Sequence, residues 1–354
     1  MNKLVLAFIV VVGIIWGPDM TAGVDRDEPL TLFCPQVSSS PTLDGDLSDS
    51  AWKDSKPIHV FVHQPYTSSG IGNIIAELRA CWSGENIYMA VRWPDPSPSI
   101  KKDLWMFDGK EWTKDRSQDE DRLALIFPVG ETMPNFRKYG CAITCHAAAV
   151  GSPPFHRNPH WYHKSNGPKQ RIDAWHWKSV RSNPLNFADD KYWDDRSLSA
   201  DPHHAGRHPD AEPPEEKAEQ RNINTDRSRP AMMQDPRKPA SIPGFLLAKE
   251  AIPIDLSRFK AGDIVPGRII SRARGSRGDV SCGSVHRDGY WNVELSRKLR
   301  TGHVDDVVFK PDESLPFSLA IFENVPEYRK EDHGKIHQVL LLQIIKPPDP
   351  SSKK

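Results

Sequence analysis

Cys141 and Cys145 are followed at once by His146, in the run Gly140-Cys-Ala-Ile-Thr-Cys-His-Ala147. Two thiols with an imidazole directly after the second form the arrangement that attaches haem c. The cysteines add to the haem vinyl groups as thioethers, and the histidine ligates the iron from the same loop. The usual spacing leaves two residues between the thiols; here Ala142, Ile143 and Thr144 intervene. The longer loop must bulge to keep both sulfurs at the porphyrin edge. A disulfide loop gives no reason for a histidine at 146. The expectation is one covalent haem c, held by Cys141 and Cys145, with His146 as proximal ligand.

The elements that must position this loop are read from composition and periodicity. Lys+Arg and Asp+Glu both number 47, so the net charge is zero, which argues against a nucleic-acid binder or a basic membrane-surface protein. With 22 Gly, 32 Pro and 11 Trp among 354 residues, the chain reads as loop-rich and mainly β. At the N-terminus, Lys3 precedes the apolar run Leu4 to Trp16, and Thr21-Ala22-Gly23 offers small residues for cleavage. That is the pattern of a secretory signal over residues 1–23, with the mature chain starting between about Ala22 and Asp27. The run is short of the roughly 20 residues that span a bilayer. An exported, periplasmic protein with no further membrane span is expected, and haem c attachment also happens outside the cytoplasm. Of Cys34, Cys81 and Cys282, two could pair in an oxidising compartment, leaving one free; the favoured reading takes Cys81 and Cys282 as small apolar residues on strands.

Apolar and polar residues alternate over Ile58–Val62, Ile74–Trp82 and Ile87–Trp93, and Arg122–Pro128 is an apolar strand leading to the motif. Asp288-Gly289 between two alternating runs signals a hairpin. Strands are expected at 263–271, 279–285, 290–296, 305–309, 316–322 and 337–345. The whole of 24–354 is then one antiparallel, immunoglobulin-like β-sandwich, with a long loop-rich, haem-binding insertion over about 130–244. Within the insertion Ile172–Val180 reads as a short helix. Residues 189–238, charged and Pro-rich, read as an irregular or mobile loop.

Five stretches carry a resemblance: LDGDLSDSAW at 43–52, DRLALIFP at 121–128, DAWHWKSVRSNPLNFADDKYW at 173–193, GSRGDVSC at 275–282 and DGYWNVELSRKLRTGHVDDVVF at 288–309. Together they resemble the ethylbenzene dehydrogenase-type haem-binding domain, also described as cytochrome c-552/dimethylsulfoxide-reductase-like. The resemblance implies a sandwich related to DOMON and carbohydrate-binding modules. It implies the electron-transferring γ subunit of periplasmic molybdenum enzymes such as ethylbenzene dehydrogenase, chlorate reductase and nitrite oxidoreductase, with iron–sulfur and molybdopterin subunits as partners. In several such subunits the haem is b-type, held by Met and Lys; here a covalent motif stands instead.

Met133 falls where the resemblance places the methionine ligand, just past the apolar strand, and a thioether raises the potential as suits a c-type carrier. It is the first candidate for the distal position. Lys249 matches the lysine of the resemblance and is an alternative. His176, flanked by Trp175 and Trp177, is another, against the commoner role of a hydrogen-bonded core histidine. His156, His160 and His163 follow the motif without metal-site spacing, and His203, His204 and His208 form a weak zinc-like cluster. Trp161, Trp175, Trp177 and Trp193 are expected to pack on the porphyrin. No acid–base or nucleophile constellation makes the chain an enzyme of its own. The readings left open are a docked electron-transfer subunit, a stand-alone periplasmic cytochrome c with a soluble redox partner, and a haem-free carbohydrate-binding module.

Overall fold

The computed structural model describes residues 29–63, 72–133, 135–141, 169–194, 206–215, 217–238, 244–325, 334–336 and 338–346. The alternating segments pair into two sheets. Their strands are β1 (Leu30–Pro35), β2 (Ile58–Val62), β3 (Ile74–Ser83), β4 (Asn86–Pro94), β5 (Arg122–Pro128), β6 (Ile172–Lys178), β7 (Asp189–Trp193), β8 (Arg207–Pro209), β9 (Ser281–Arg287), β10 (Tyr290–Lys298), β11 (Ser314–Phe322), β12 (Gly334–Lys335) and β13 (Leu340–Ile345). One sheet runs β9-β10-β4-β3-β2. The other runs β1-β13-β11-β5-β6-β7-β8, with β12 added to β11. The pairing within the sandwich is antiparallel except for β1 and β13, which lie parallel from Leu30 opposite Leu340 to Pro35 opposite Ile345.

Period two sends alternate residues inward. Leu123, Leu125 and Phe127 of β5, Trp175 and Trp177 of β6, and Phe317, Leu319 and Ile321 of β11 meet Leu78, Met89, Val91, Trp93, Val293 and Leu295 of the facing sheet. Rings interlock there: Trp177 lies edge-on to Trp93 at 5.9 Å and to Trp291 at 5.0 Å. Each such large side chain removed from water contributes on the order of 2–3 kcal/mol, so this layer dominates the stability. The Asp288-Gly289 turn has positive φ at both residues and joins β9 to β10 in the expected two-residue hairpin. The early turn is fastened from afar. Buried Glu294 accepts from the N–H groups of Asp44 and Gly45 at 3.0 and 2.6 Å and from Trp52 Nε1 at 2.7 Å. Gly45 sits at φ +82°, where a Cβ would meet Val285 N at 2.4 Å.

Four expectations are corrected. Ile172–Val180 is not a helix: Ile172–Lys178 is the interior strand β6, between β5 and β7, and its WHW run is disguised because both faces are largely buried. The stretch 189–238 is not simply an irregular loop. It supplies β7 and β8 to the large sheet and short strands at Glu219–Arg221 and Met232–Gln234. The expected strand at 263–271 is broken at Pro266-Gly267 into Ile264–Val265 and Arg268–Ile270, where a Cβ on Gly267 would meet Asp103 O at 1.8 Å. Residues 305–309 form a loop, with Asp306 and Val307 buried. Cys34, Cys81 and Cys282 are buried thiols on strands, and burial pushes Cys81 and Cys282 up to about 12.

Candidate functional site on the outer face of the large sheet

The residues of β5 and β6 that do not enter the core face the other way. Ile126 of β5 and Ile172 and Ala174 of β6 point outward, and Trp193 of β7 joins them opposite Ile172. The chain leaving β5 is folded back over this face. Val129 N donates to Arg171 O at 2.9 Å, which prolongs the β5–β6 ladder by one rung. Thr132 Oγ1 donates to Val129 O at 2.8 Å and tightens the turn. Phe136 N then donates to Met133 O at 3.0 Å and opens one helical turn, Phe136–Tyr139. Gly140 ends that turn at φ +57°, its N–H on Phe136 O at 2.8 Å. Gly140 lies over β11: a Cβ there would stand 3.2 Å from Ser318 Oγ. Arg137 Nη2 pins the turn to Ser314 O at 2.7 Å.

The result is one apolar cluster of Ile126, Met133, Phe136, Ile172, Ala174 and Trp193, with the half-buried thiol of Cys141 packed against it. Met133 is 5% exposed and Phe136 wholly buried. Eight residues apart in sequence, a thioether and a thiol are thus brought to one dry spot on the sheet. His176 is the next outward residue of β6 after Ala174, about 7 Å further along the strand. Its ring leans on Phe322 of β11 at 5.9 Å. Its Nε2 is buried with no hydrogen-bond partner among the described residues. Burial first, then the nearby Lys178, Lys191, Arg122 and Arg181 charges, push its pKa well down, so the ring is neutral. Beyond His176 the face turns ionic. Lys178 bonds Asp189, which also takes Lys191 Nζ at 2.8 Å and Arg277 Nε at 2.6 Å, and these cations hold the Asp189 carboxyl well below its usual range despite its burial.

A family model described as ethylbenzene dehydrogenase matches residues 49–334, a span that includes every strand just described from β2 to β11. The chain belongs to the ethylbenzene dehydrogenase family. Comparison with curated protein sequences finds no match. Among solved structures, the chain is similar to a family 9 carbohydrate-binding module from Caldicellulosiruptor kristjanssonii in complex with glucose. The identity is 8%, coverage is 90% of this chain and 97% of that one, and the TM-score is 0.31. It is also similar to a carbohydrate-binding protein from Bacteroides uniformis, at 6% identity, 91% and 94% coverage and a TM-score of 0.35.

Within this ethylbenzene dehydrogenase-family chain, Met133 and Cys141 share the cluster and His176 lies on the same face. Lys249 does not join them. It is exposed on the turn Ala248–Glu250, and its neighbours Phe245 and Leu247 pack with Val180 and Ile270 in a separate cluster. Trp175 and Trp177 point into the core between the sheets, on the side away from Met133, so of the described tryptophans expected beside the haem only Trp193 lies on that face. His208 is not placed as a zinc ligand: its Nε2 bonds Asp194 Oδ1 at 2.8 Å and its ring stacks on Tyr192 at 4.8 Å. Residues 1–28, Cys145, His146, His156, His160, Trp161, His163, His203 and His204 lie outside the described residues. Phe136 and Ile172 were not singled out as lining this site, whereas Trp193 was expected beside the haem and lies in the cluster. Ile172 could have been found by pairing DAWHW with DDKYW as adjacent strands.

The donor set fits a haem bound at this face. The Cys141 thiol adjoins a buried thioether sulfur, the lining is apolar, and a neutral imidazole has one buried nitrogen with no hydrogen-bond partner among the described residues.

Proposed function

We propose that this chain is a monohaem c-type electron-transfer subunit, with its haem attached through Cys141 and Cys145 and ligated by His146 and Met133. The observation that carries the reading is the packing of Cys141 against the same apolar cluster as Met133. When bound, the haem supplies reversible one-electron exchange at iron. Cys141 fixes one edge of the group to a turn that is pinned by Arg137. Met133, seated between Phe136 and Ile172, presents a sulfur whose position the strand and turn determine. Ile126, Ala174 and Trp193 exclude water from that side. His176 is the second candidate for the distal position, on the strength of its unsatisfied Nε2.

Family membership supports a place as the small, non-catalytic subunit beside iron–sulfur and molybdopterin subunits, and the signal-like N-terminus supports a periplasmic address. The test is made on the purified mature protein. Its mass should exceed that of the polypeptide by one haem, and acid-acetone should not extract the pigment. The oxidised spectrum should show the weak far-red band of methionine ligation. Met133→Ala should abolish that band and keep the mass gain. Extractable haem sinks the attachment. A band unchanged in Met133→Ala moves the ligand to His176, and His176→Ala is then measured in the same way.

A further inference from the structure

On the inner side of β6 and β7, at the sheet edge, five carboxylates gather around one guanidinium. Asp173 comes from β6, Asp190 from β7, Asp210 from the residue after β8, and Asp305 and Asp306 from the loop between β10 and β11. One oxygen each from Asp173, Asp190 and Asp306 lie within 4.8 Å of one another, and so do one each from Asp210, Asp305 and Asp306. Arg297 serves the first trio. Its Nη1 is 2.6 Å from Asp173 Oδ2 and 3.4 Å from Asp190 Oδ2 and Asp306 Oδ1. In the second trio only Asp306 is near that cation; among the described residues no basic side chain pairs with Asp210 or Asp305.

Two further facts point to a missing positive ligand. Asp306 is 3% exposed and Asp210 2%, yet both Asp306 oxygens and Asp210 Oδ1 lack a hydrogen-bond donor among the described residues. Asp210 Oδ2 has only Ser276 Oγ, at 3.1 Å. Buried carboxylate oxygens left without donors are costly. The loop is also clasped in place. Val307 N donates to Asp173 Oδ2 at 2.9 Å, and Arg297 Nη2 donates to Val307 O at 2.7 Å. The acids are therefore held together rather than free to swing into water.

We propose that Asp210, Asp305 and Asp306 bind one Ca2+ ion, which ties the loop between β10 and β11 to the end of β8, the neighbour of β7 in the large sheet. One oxygen from each of the three lies close enough to the others for a single ion to reach all of them at about 2.4 Å. An all-oxygen carboxylate set selects a hard cation, and a buried, irregular set suits Ca2+ over Mg2+, which demands a tighter octahedron and keeps its waters. The proposal stands whether or not the outer face holds haem.

The experiment uses the full-length protein, stripped with chelator, desalted and melted with and without millimolar Ca2+. Wild type should gain about 5 °C in Tm at roughly hundredfold excess over Kd, and Mg2+ should give clearly less. Asp306→Asn should lose the gain, while Glu215→Gln, at an exposed site, should keep it. If Asp306→Asn does not fold, the half-exposed Asp305→Asn decides in its place. Tb3+ luminescence excited through tryptophan should appear in wild type, be displaced by Ca2+ and be absent from the variant. No gain in wild type overturns the proposal, as does an undiminished gain in the aspartate variants or an equal gain from Mg2+.

Discussion

Strands β6 and β7 carry two unlike regions back to back. Outward, Ile172, Ala174 and Trp193 close with Met133, Phe136 and Cys141 into an apolar patch. Inward, Asp173 and Asp190 lie fully buried against Arg297. Both regions are dry, but they are satisfied in different ways. The outer patch needs only shape and volume to match, so partial losses are tolerated and repacking is possible. The inner one needs charge to balance within a few ångströms, and half of a balance is worse than none. Because consecutive residues of one strand serve the two regions, a disturbance of either is transmitted through the same backbone.

The sharpest way to break the contrast is Arg297→Met. It leaves Asp173 and Asp190 buried without their cation and should destabilise the protein by about 3–5 kcal/mol in urea titration. A loss below about 1 kcal/mol would mean that charge balance is not what holds the inner region. On the outer side, Phe136→Ala opens a cavity under the helical turn and should lose about 3 kcal/mol. Labelling of Cys141 by a thiol reagent in the haem-free protein should quicken with it. Unchanged labelling would show that the turn is held by Arg137 and Gly140 rather than by the patch.

Glu294 sharpens the comparison from a third side, as a buried carboxylate met by three neutral donors and, among the described residues, no cation. Burial raises its pKa from the ordinary 4.5 to about 7, against the lowering effect of the Gly45, Trp52 and Asp44 donors. The folded state therefore holds this proton more tightly than the unfolded chain. The stability it contributes is complete below about pH 4.5 and is lost as pH rises through 7. Relative to Glu294→Gln, wild type should lose about 2–3 kcal/mol between those limits. A difference that does not vary with pH would show that the three donors keep the group ionised throughout.

Much of the sandwich was legible wherever one face of a strand is buried and the other is wet or half-wet. Ile74–Ser83 alternates over most of its length, and Asp288-Gly289 announces its own turn. The strand at 172–178 was not legible, because His176 and Ala174 are covered on one side and Trp175 and Trp177 on the other, leaving no period to read. Asp189–Trp193 hid for the opposite reason. Its acids look solvated until Arg297, Arg277 and Lys178 are seen around them, and two of those partners lie more than eighty positions away. Of the site, Met133 and Cys141 could be named from the motif and the resemblance. That they meet depends on one turn ending at Gly140, and a single turn of helix has no sequence period of its own.

The parallel pairing of β1 with β13 has a consequence in time. Leu30 and Leu340 are neighbours in the sheet but more than three hundred positions apart in the chain. A strand made first therefore has no sheet partner until the strand made last has emerged, and pairing at such separation is slow. Until then Leu32 and Cys34, both fully buried in the finished fold, stay without cover, as does the edge of β11 that β13 will occupy. Loss of the six residues Leu340–Ile345 would therefore release the first strand as well. Until that pairing forms, both edges are open to pairing with other chains.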